Sequence, residues 1–187
     1  MQIHPTEIEG VHLFEPRVLT DARGRFLEIF TQADVTEAIG HRMPVAQVNC
    51  SVSRRGTIRG LHAVSPPGQA RYVTCVSGAV TDIVVDVRPG SPTFGRHVST
   101  LLDEHSRHAV YMAEGLAHGF ACLTEEATVV YLSSSPYDPG ATIRIDPLDP
   151  ELGLDWRGRD PVLSDQDRTA PRLREVVARG LLSGFAR

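Results

Sequence analysis

Two polar side chains, Arg59 and His62, interrupt the otherwise apolar stretch TIRGLHAV. A histidine exchanges protons close to neutral pH and can serve as a general acid or base, and an arginine can hold a phosphate with two hydrogen bonds. Residues three positions apart face opposite sides of a regular strand, but Gly60 permits a bulge that would bring both side chains to one side. Spacing alone leaves both arrangements open, as it leaves open a packed, structural role for His62.

A second histidine, His118, ends the segment AEGLAH. This segment fits the P-x-G-x-x-H pattern of cupin barrels except that Ala113 replaces the proline. The partner pattern of metal-binding cupins is H-x-H followed by a glutamate, whereas His62 stands alone here and Val64 occupies the second histidine position. Two imidazoles without a nearby carboxylate fall short of the three or more protein ligands that a catalytic transition metal usually has. We therefore expect no metal, with a metal-dependent cupin oxygenase or isomerase as an alternative.

A metal-free barrel with a histidine at its mouth indicates proton transfer. A basic imidazole needs a carboxylate to orient it, and the segment LSDQD offers Asp165 and Asp167, although both could instead cap a helix. Tyr131 offers a phenol as an acid on the far face, although a tyrosine in a strand is often a packed ring with a bonded hydroxyl. These pairings are hypotheses, because the residues lie far apart along the chain.

The composition indicates a globular chain rather than a nucleic-acid or membrane protein. The 187 residues carry a formal net charge of −4, which argues against general nucleic-acid binding. A local anion site remains open, because Arg23, Arg59 and Arg71 lie near glycine-containing turns, although scattered surface arginines are the simpler reading. No apolar run is long enough for a membrane helix, and the first residues do not resemble a signal peptide. Three widely spaced cysteines favour reduced, buried thiols in a cytoplasmic protein.

Many short strands separated by glycine and proline predict an all-β domain over residues 1–187. Segments rich in Val, Ile, Thr and Tyr run from about residue 46 to residue 135, which favours a β-sandwich or jelly-roll barrel. The segment ADVTEAIG predicts a short helix closed by Gly40. Helical spacing at Leu173, Val176, Val177 and Leu181 predicts a second small helix near the C-terminus.

Taken together, several stretches resemble the dTDP-4-dehydrorhamnose 3,5-epimerases, which are metal-independent cupin-fold enzymes. The resemblance covers about residue 8 to residue 182 and is carried by DARGRFLEIF, VAQVNCSVSRRGTIRGLH, ARYVTCVSGAVTDIVVDVRPGSPTFG, EGLAHGF, VVYLSSSPY and LSDQD. It implies a cupin-type jelly roll, no cofactor, a dTDP-sugar substrate and a homodimer that exchanges edge strands. His62 would remove protons beside the sugar ketone, Asp167 would hold its imidazole, and Tyr131 would return protons from the opposite face.

The resemblance also implies a set of substrate-binding residues. The diphosphate or sugar would contact Gln47, Asn49 and Arg59, the sugar would contact His118, and thymine would stack on Tyr137. The residues expected to reach in from a neighbouring subunit are Arg23, Phe26 and Glu28.

Four positions depart from the family pattern. Arg71 stands where members have Lys, so we expect it to stabilise the enolate with an altered geometry. Ala63 replaces an aromatic residue, which would loosen the pocket wall, and Thr142 and Gln166 replace a Glu and a basic residue. The proton-transfer set is intact, so we expect inversion at C3 and C5. The alternatives are inversion at one of these carbons and a sugar-binding cupin without activity.

Overall fold

The computed structural model describes residues 1–158 and 160–185 and contains two antiparallel sheets that face each other. The strands are β1 (Gln2–Pro5), β2 (Val11–Glu15), β3 (Leu19–Asp21), β4 (Gly24–Phe26), β5 (Gln47–Arg54), β6 (Ile58–Val64), β7 (Arg71–Ser77), β8 (Ala79–Val85), β9 (His97–Asp103), β10 (Ala109–Met112), β11 (Ala117–Cys122), β12 (Glu126–Ser133) and β13 (Thr142–Arg144). A six-stranded sheet has the order β1-β2-β10-β7-β12-β5, and a five-stranded sheet has the order β13-β6-β11-β8-β9. Strands β3 and β4 form a separate hairpin.

The main core fills the space between the two sheets. It includes Val73 and Val129 from the six-stranded sheet and Val80, Val84 and Leu102 from the five-stranded sheet, all of them buried. Each of these strands turns alternate side chains toward the facing sheet, so apolar residues at alternate positions build one continuous core. The arrangement confirms the predicted all-β, jelly-roll class.

The described part of the chain has three short helices at the periphery: α1 (Gln32–Ile39), α2 (Asp165–Arg168) and α3 (Leu173–Ala178). As predicted, Gly40 closes α1, with a positive φ of 78° that glycine adopts without strain. The C-terminal helix is shorter than the spacing predicted, because it stops at Ala178, and Leu181 is exposed beyond it. Among the described residues, no helix is long and apolar enough to cross a membrane.

Two residues differ from their predicted environments. Ala63 does not line the pocket but is buried in an apolar cluster, because a strand residue next to His62 must face the opposite side. Cys50 is exposed, since it lies on the outer face of the edge strand β5, whereas Cys75 and Cys122 are buried as expected. All three cysteines are free thiols.

Candidate active site

A cavity of about 1040 Å³ opens between the two sheets. Its floor comes from β5, β12 and β7 of one sheet, and its opposite wall comes from β6, β11 and β13 of the other. Helix α2 and the loops that follow β6 and β12 complete the rim. The sequence predictions that fall in this cavity are His62, Asp167, Tyr131, Gln47, Asn49, Arg59, Arg71, His118 and Tyr137.

Strand pairing explains why residues far apart in sequence share the cavity floor. Gln47 and Ser133 pair across β5 and β12, and Ser133 pairs in turn with Arg71 of β7. The next row, two residues further along, contains Asn49 and Tyr131. Residues in such rows point to the same face of a sheet. The floor therefore presents amide, guanidinium and phenol groups side by side.

A bulge in β6 brings Arg59 and His62 to the same cavity. His62 pairs with His118, and Arg59 pairs with Phe120. Two residues therefore lie between the paired positions on β6, whereas only one lies between them on β11. Gly60 lies in the bulge with φ of +146°, and a Cβ atom there would stand 2.5 Å from the Cα of Gly119. Only glycine fits this position, so the bulge that the sequence left open is confirmed.

The imidazole of His62 is held by a carboxylate from the C-terminal part of the chain. Its Nε2 lies 2.7 Å from Oδ1 of Asp167, and the Asp167 side chain is only 7% exposed. Burial alone would raise the pKa of Asp167, but its hydrogen bond and charge attraction with His62, a bond from Ser164 and the nearby charge of Arg144 together lower it. Asp167 is therefore an ionised partner for an imidazolium.

Residue spacing left both carboxylates of α2 open and only the family resemblance favoured Asp167, which is the one that the structure pairs with His62. Ser164, rather than either aspartate, caps the helix, and its hydroxyl accepts from the backbone N–H of Asp167. Asp165 faces solvent. The backbone direction set by this cap turns Asp167 inward toward β6.

A second His–Asp pair lies directly beside the first. His118 Nε2 is 2.7 Å from Oδ2 of Asp82, and the two side chains are 8% and 1% exposed. The sequence analysis did not single out Asp82. A lone carboxylate within the apolar strand AVTDIVV was the available signal, because a buried charge requires a partner.

The Arg71 side chain reaches from the cavity floor to the backbone of His62 on the opposite wall. Its Nη1 donates to the backbone carbonyl of His62 at 3.2 Å, and its Nε donates to the side chain of Gln69 at 3.0 Å. Burial lowers the pKa of Arg71, and the adjacent Tyr131 acts in the opposite direction. Even with a lowered pKa, a guanidinium stays charged, so it places a fixed cation in this part of the cavity.

Other polar side chains that line the cavity are Arg59, Gln47 and Tyr137. Arg59 donates from Nε to the hydroxyl of Ser53 at 2.9 Å, which orients its guanidinium along the cavity wall. Gln47 donates to Asn49 at 2.6 Å and accepts from the backbone N–H of Tyr137 at 2.8 Å. The Tyr137 side chain is 60% exposed at the rim. An exposed ring beside an amide group, in a cavity that also holds guanidinium groups, fits a planar, anionic ligand.

Three predicted binding residues lie outside the cavity of their own chain. Arg23 and Phe26 belong to the β3–β4 hairpin, where Phe26 is 65% exposed and Arg23 pairs with Asp21 at 2.6 Å. Glu28, just after the hairpin, is also exposed. Their prediction as contributors from a neighbouring subunit stays a prediction.

Three of the four departures from the family pattern line the cavity: Arg71, Thr142 and Gln166. Thr142 donates to the backbone carbonyl of Asp138, so its hydroxyl is engaged in the rim. Across residues 1–158 and 160–185, no three side chains of His, Cys, Asp or Glu come together as a group that could hold a metal ion.

Comparison with known proteins assigns this architecture to a family. The family profile described as dTDP-4-dehydrorhamnose 3,5-epimerase matches residues 5–175. The chain belongs to this family. A dTDP-4-dehydrorhamnose 3-epimerase of Streptomyces niveus is 50% identical over 100% of this chain and 90% of its own length. A dTDP-4-dehydrorhamnose 3,5-epimerase of Mycobacterium tuberculosis is 48% identical over 97% of this chain and 92% of its own length.

A solved structure extends the comparison to the fold. A 3'-monoepimerase from Streptomyces bikiniensis in complex with dTDP-quinovose superposes with a TM-score of 0.93, at 48% identity, over 97% of this chain and 92% of that one. Membership of the family makes the chain an epimerase, which is a class of isomerase. The relatives include both 3-epimerases and 3,5-epimerases, so the family alone does not fix how many carbons are inverted.

Proposed function

We propose that this epimerase inverts C3 and C5 of dTDP-4-keto-6-deoxyglucose by proton transfer. The observation that carries the proposal is the His62–Asp167 pair, 2.7 Å apart, with a buried carboxylate, at the wall of a cavity large enough for a nucleotide sugar. A proton next to a ketone is removable only if a base is held in place and the developing negative charge is stabilised. Both requirements have candidates in this cavity.

His62 is the proposed base. Because Nε2 faces Asp167, Nδ1 is the nitrogen that takes the proton from the carbon beside the C4 ketone. Asp167 keeps the ring oriented and stabilises the imidazolium that forms. The electron pair left by the proton becomes the enolate, whose oxygen is stabilised by the Arg71 guanidinium, held beside the His62 backbone.

Tyr131 is the proposed acid that returns a proton from the opposite face. It lies on the cavity floor, in the six-stranded sheet, whereas His62 lies on the opposite wall, in the five-stranded sheet. A sugar ring between the two sheets would therefore have a base on one face and a phenol on the other. Proton removal from one face and return to the other inverts the carbon.

The same cavity contains the proposed nucleotide site. Arg59, with Gln47 and Asn49, would contact the diphosphate or the adjoining sugar, and the exposed Tyr137 ring would stack on thymine. His118, beside His62, would contact the sugar. The complex of the Streptomyces bikiniensis relative with dTDP-quinovose supports a ligand of this class.

A homodimer is part of the proposal. The edge strand β5 exposes Val48 and Val52, at 60% and 53%, on the face that points away from the cavity. Exposed apolar residues on an unpaired edge favour association with another chain. In such a dimer, the hairpin that carries Arg23 and Phe26, followed by Glu28, would contribute to the partner's cavity. We also propose a cytoplasmic location, consistent with three free thiols.

Inversion at a single carbon is the second candidate, because the Streptomyces niveus relative is named a 3-epimerase. The experiment that separates the two is incubation of the protein with dTDP-4-keto-6-deoxyglucose in D2O, followed by NMR of the sugar. Deuterium at both C3 and C5 supports the double epimerase, and deuterium at one carbon supports the alternative. No deuterium at either carbon would refute both and favour a sugar-binding protein without activity. Metal analysis of the purified protein tests the metal-dependent alternative, which requires a stoichiometric transition metal.

A further inference from the structure

The guanidinium of Arg71 is held at two of its three nitrogens. Nε donates to Oε1 of Gln69 at 3.0 Å, and Nη1 donates to the backbone carbonyl of His62 at 3.2 Å. Within residues 1–158 and 160–185, Nη2 makes no hydrogen bond to the protein. The planar group is therefore fixed in orientation, with one nitrogen left for a ligand in the cavity.

Gln69 is itself anchored on its other side. Its Nε2 donates to the backbone carbonyl of Ser135 at 2.9 Å and to the Ser135 hydroxyl at 3.1 Å. The carbonyl of Ser135 can only accept a hydrogen bond, so the amide nitrogen of Gln69 must face Ser135 and the amide oxygen must face Arg71. The chain Ser135–Gln69–Arg71 thus joins the loop after β12 to the loop after β6 and ends on the guanidinium.

We propose that Gln69 is a positioning residue that fixes the guanidinium plane of Arg71, so that Nη2 points at the oxygen on which negative charge develops. This inference rests on the proposed function, in which that oxygen is the C4 oxygen of the sugar. Gln69 acts through Arg71 and need not touch the substrate.

The reason lies in the shape of arginine. A guanidinium on a flexible side chain stabilises an oxyanion well only if its N–H groups already point at the oxygen, since reorientation during the reaction has a free-energy cost. If the His62 carbonyl were the only acceptor, the Arg71 guanidinium could still rotate about that single hydrogen bond. A second acceptor at Nε removes this rotation. A lysine at position 71 would present a compact ammonium with no equivalent of Nε, and would depend less on Gln69.

The test combines Gln69→Met, which keeps the length of the side chain but removes its hydrogen bonds, with Arg71→Lys and the double variant. For each protein, the rate of deuterium incorporation into dTDP-4-keto-6-deoxyglucose is measured together with KM, the Kd for dTDP and the melting temperature. In the Arg71 background, we expect Gln69→Met to lower kcat about 10- to 100-fold, with KM and the Kd for dTDP within about twofold. In the Arg71→Lys background, the same change should lower kcat less than about threefold, because the contact at Nε no longer exists.

The proposal is overturned if Gln69→Met leaves kcat unchanged, or if it lowers kcat by the same factor in both backgrounds, because the effect would then not pass through Arg71. A loss confined to KM, or one that follows a fall in melting temperature, would assign Gln69 a binding or structural role instead.

A second readout is independent of activity. The Nε–H of Arg71 should exchange slowly with solvent in the unmodified protein and should lose this protection in Gln69→Met, as followed by nitrogen-15 NMR. If no deuterium enters the sugar in any protein, the proposed function fails, and this measurement still decides whether Gln69 holds the guanidinium. Equal exchange in the two proteins would overturn the positioning role.

Discussion

Replacement of Asp167 by Asn removes the charge beside His62 and keeps the shape of the side chain. The native carboxylate lies 2.7 Å from Nε2 of His62; the Asp167 side chain is 7% exposed and the His62 side chain is 29% exposed, so solvent screens the pair only in part. Two unit charges 4 Å apart at an effective dielectric constant of 20 attract by about 4 kcal/mol, and charge-assisted hydrogen bonds contribute about 1.5–3 kcal/mol net. The variant also leaves Arg144, 3.8 Å from Oδ1, as a cation near the imidazole without its counter-charge.

We therefore expect Asp167→Asn to lose about 2–3 kcal/mol of transition-state stabilisation, which is about 30- to 150-fold in kcat. The assay is the initial rate of deuterium incorporation into the sugar, with the Kd for dTDP measured by calorimetry. The matched control is Asp165→Asn, two residues earlier on the same helix, where the carboxylate is exposed to solvent. This control should keep the rate within about twofold, because an exposed charge contributes little.

A loss of less than about threefold in folded Asp167→Asn would refute the reasoning, since a charge-stabilised imidazolium could not then limit the reaction. An equal loss in both variants would show that the helix, rather than the carboxylate facing His62, matters for activity.

Three further outcomes are expected. Tyr131→Phe should slow inversion more than deuterium incorporation, as NMR of the product configuration would show, because proton removal does not need the opposing acid; equal losses would contradict its role. Gly60→Ala should lower the free energy of unfolding in urea by about 1–3 kcal/mol, because the added Cβ would lie 2.5 Å from the Cα of Gly119. Ordinary surface substitutions change this free energy by about 0.5 kcal/mol or less, so a change of that size would argue against the bulge geometry. The buried Asp86 has a pKa lowered to about 2 in the folded state, by hydrogen bonds from Arg88 and neighbouring hydroxyls that outweigh burial. Asp86 should therefore contribute about 2 kcal/mol to the free energy of unfolding, present above about pH 4 and lost as the pH falls toward 2. Urea unfolding of Asp86→Asn at a series of pH values should lack this loss, and an unchanged acid transition would disprove the assignment.

The fold was largely predictable because strand signals are local. Alternating Val, Ile and Thr between glycine and proline turns is readable in short windows, and the capping glycine of α1 is a single-residue signal. The length of the C-terminal helix was overestimated, because the apolar spacing continues to Leu181 while the helical backbone ends at Arg179 and Gly180.

The candidate site was predictable in its residue types and less so in its contacts. Gly60 indicated that a bulge was possible, but only strand pairing decided that Arg59 and His62 share a cavity. Residue spacing did not distinguish Asp165 from Asp167, and only the family resemblance favoured Asp167, because the choice depends on how Ser164 caps a helix more than a hundred residues from β6. The prediction for Ala63 was wrong because the bulge ends before it, and the regular alternation of the strand turns it into the core.

Apart from Asp167, which the family resemblance supplied, side chains that act on other side chains were not found from the sequence. Gln69 and Asp82 each lie in segments whose local pattern does not reveal the partner, and their contacts join positions on different strands or loops. Such partners are set by tertiary packing, which residue spacing does not encode.

The most direct test of the account is deuterium incorporation by His62→Ala. The account predicts that exchange at both C3 and C5 falls by about 10²- to 10⁴-fold, because His62 is the group assigned to remove both protons, while dTDP still binds with a similar Kd. His105→Ala, at a side chain that is 79% exposed on the surface, is the control and should exchange at the normal rate. Exchange in folded His62→Ala within about tenfold of the unmodified protein would show that another group removes the proton, and would contradict the central claim.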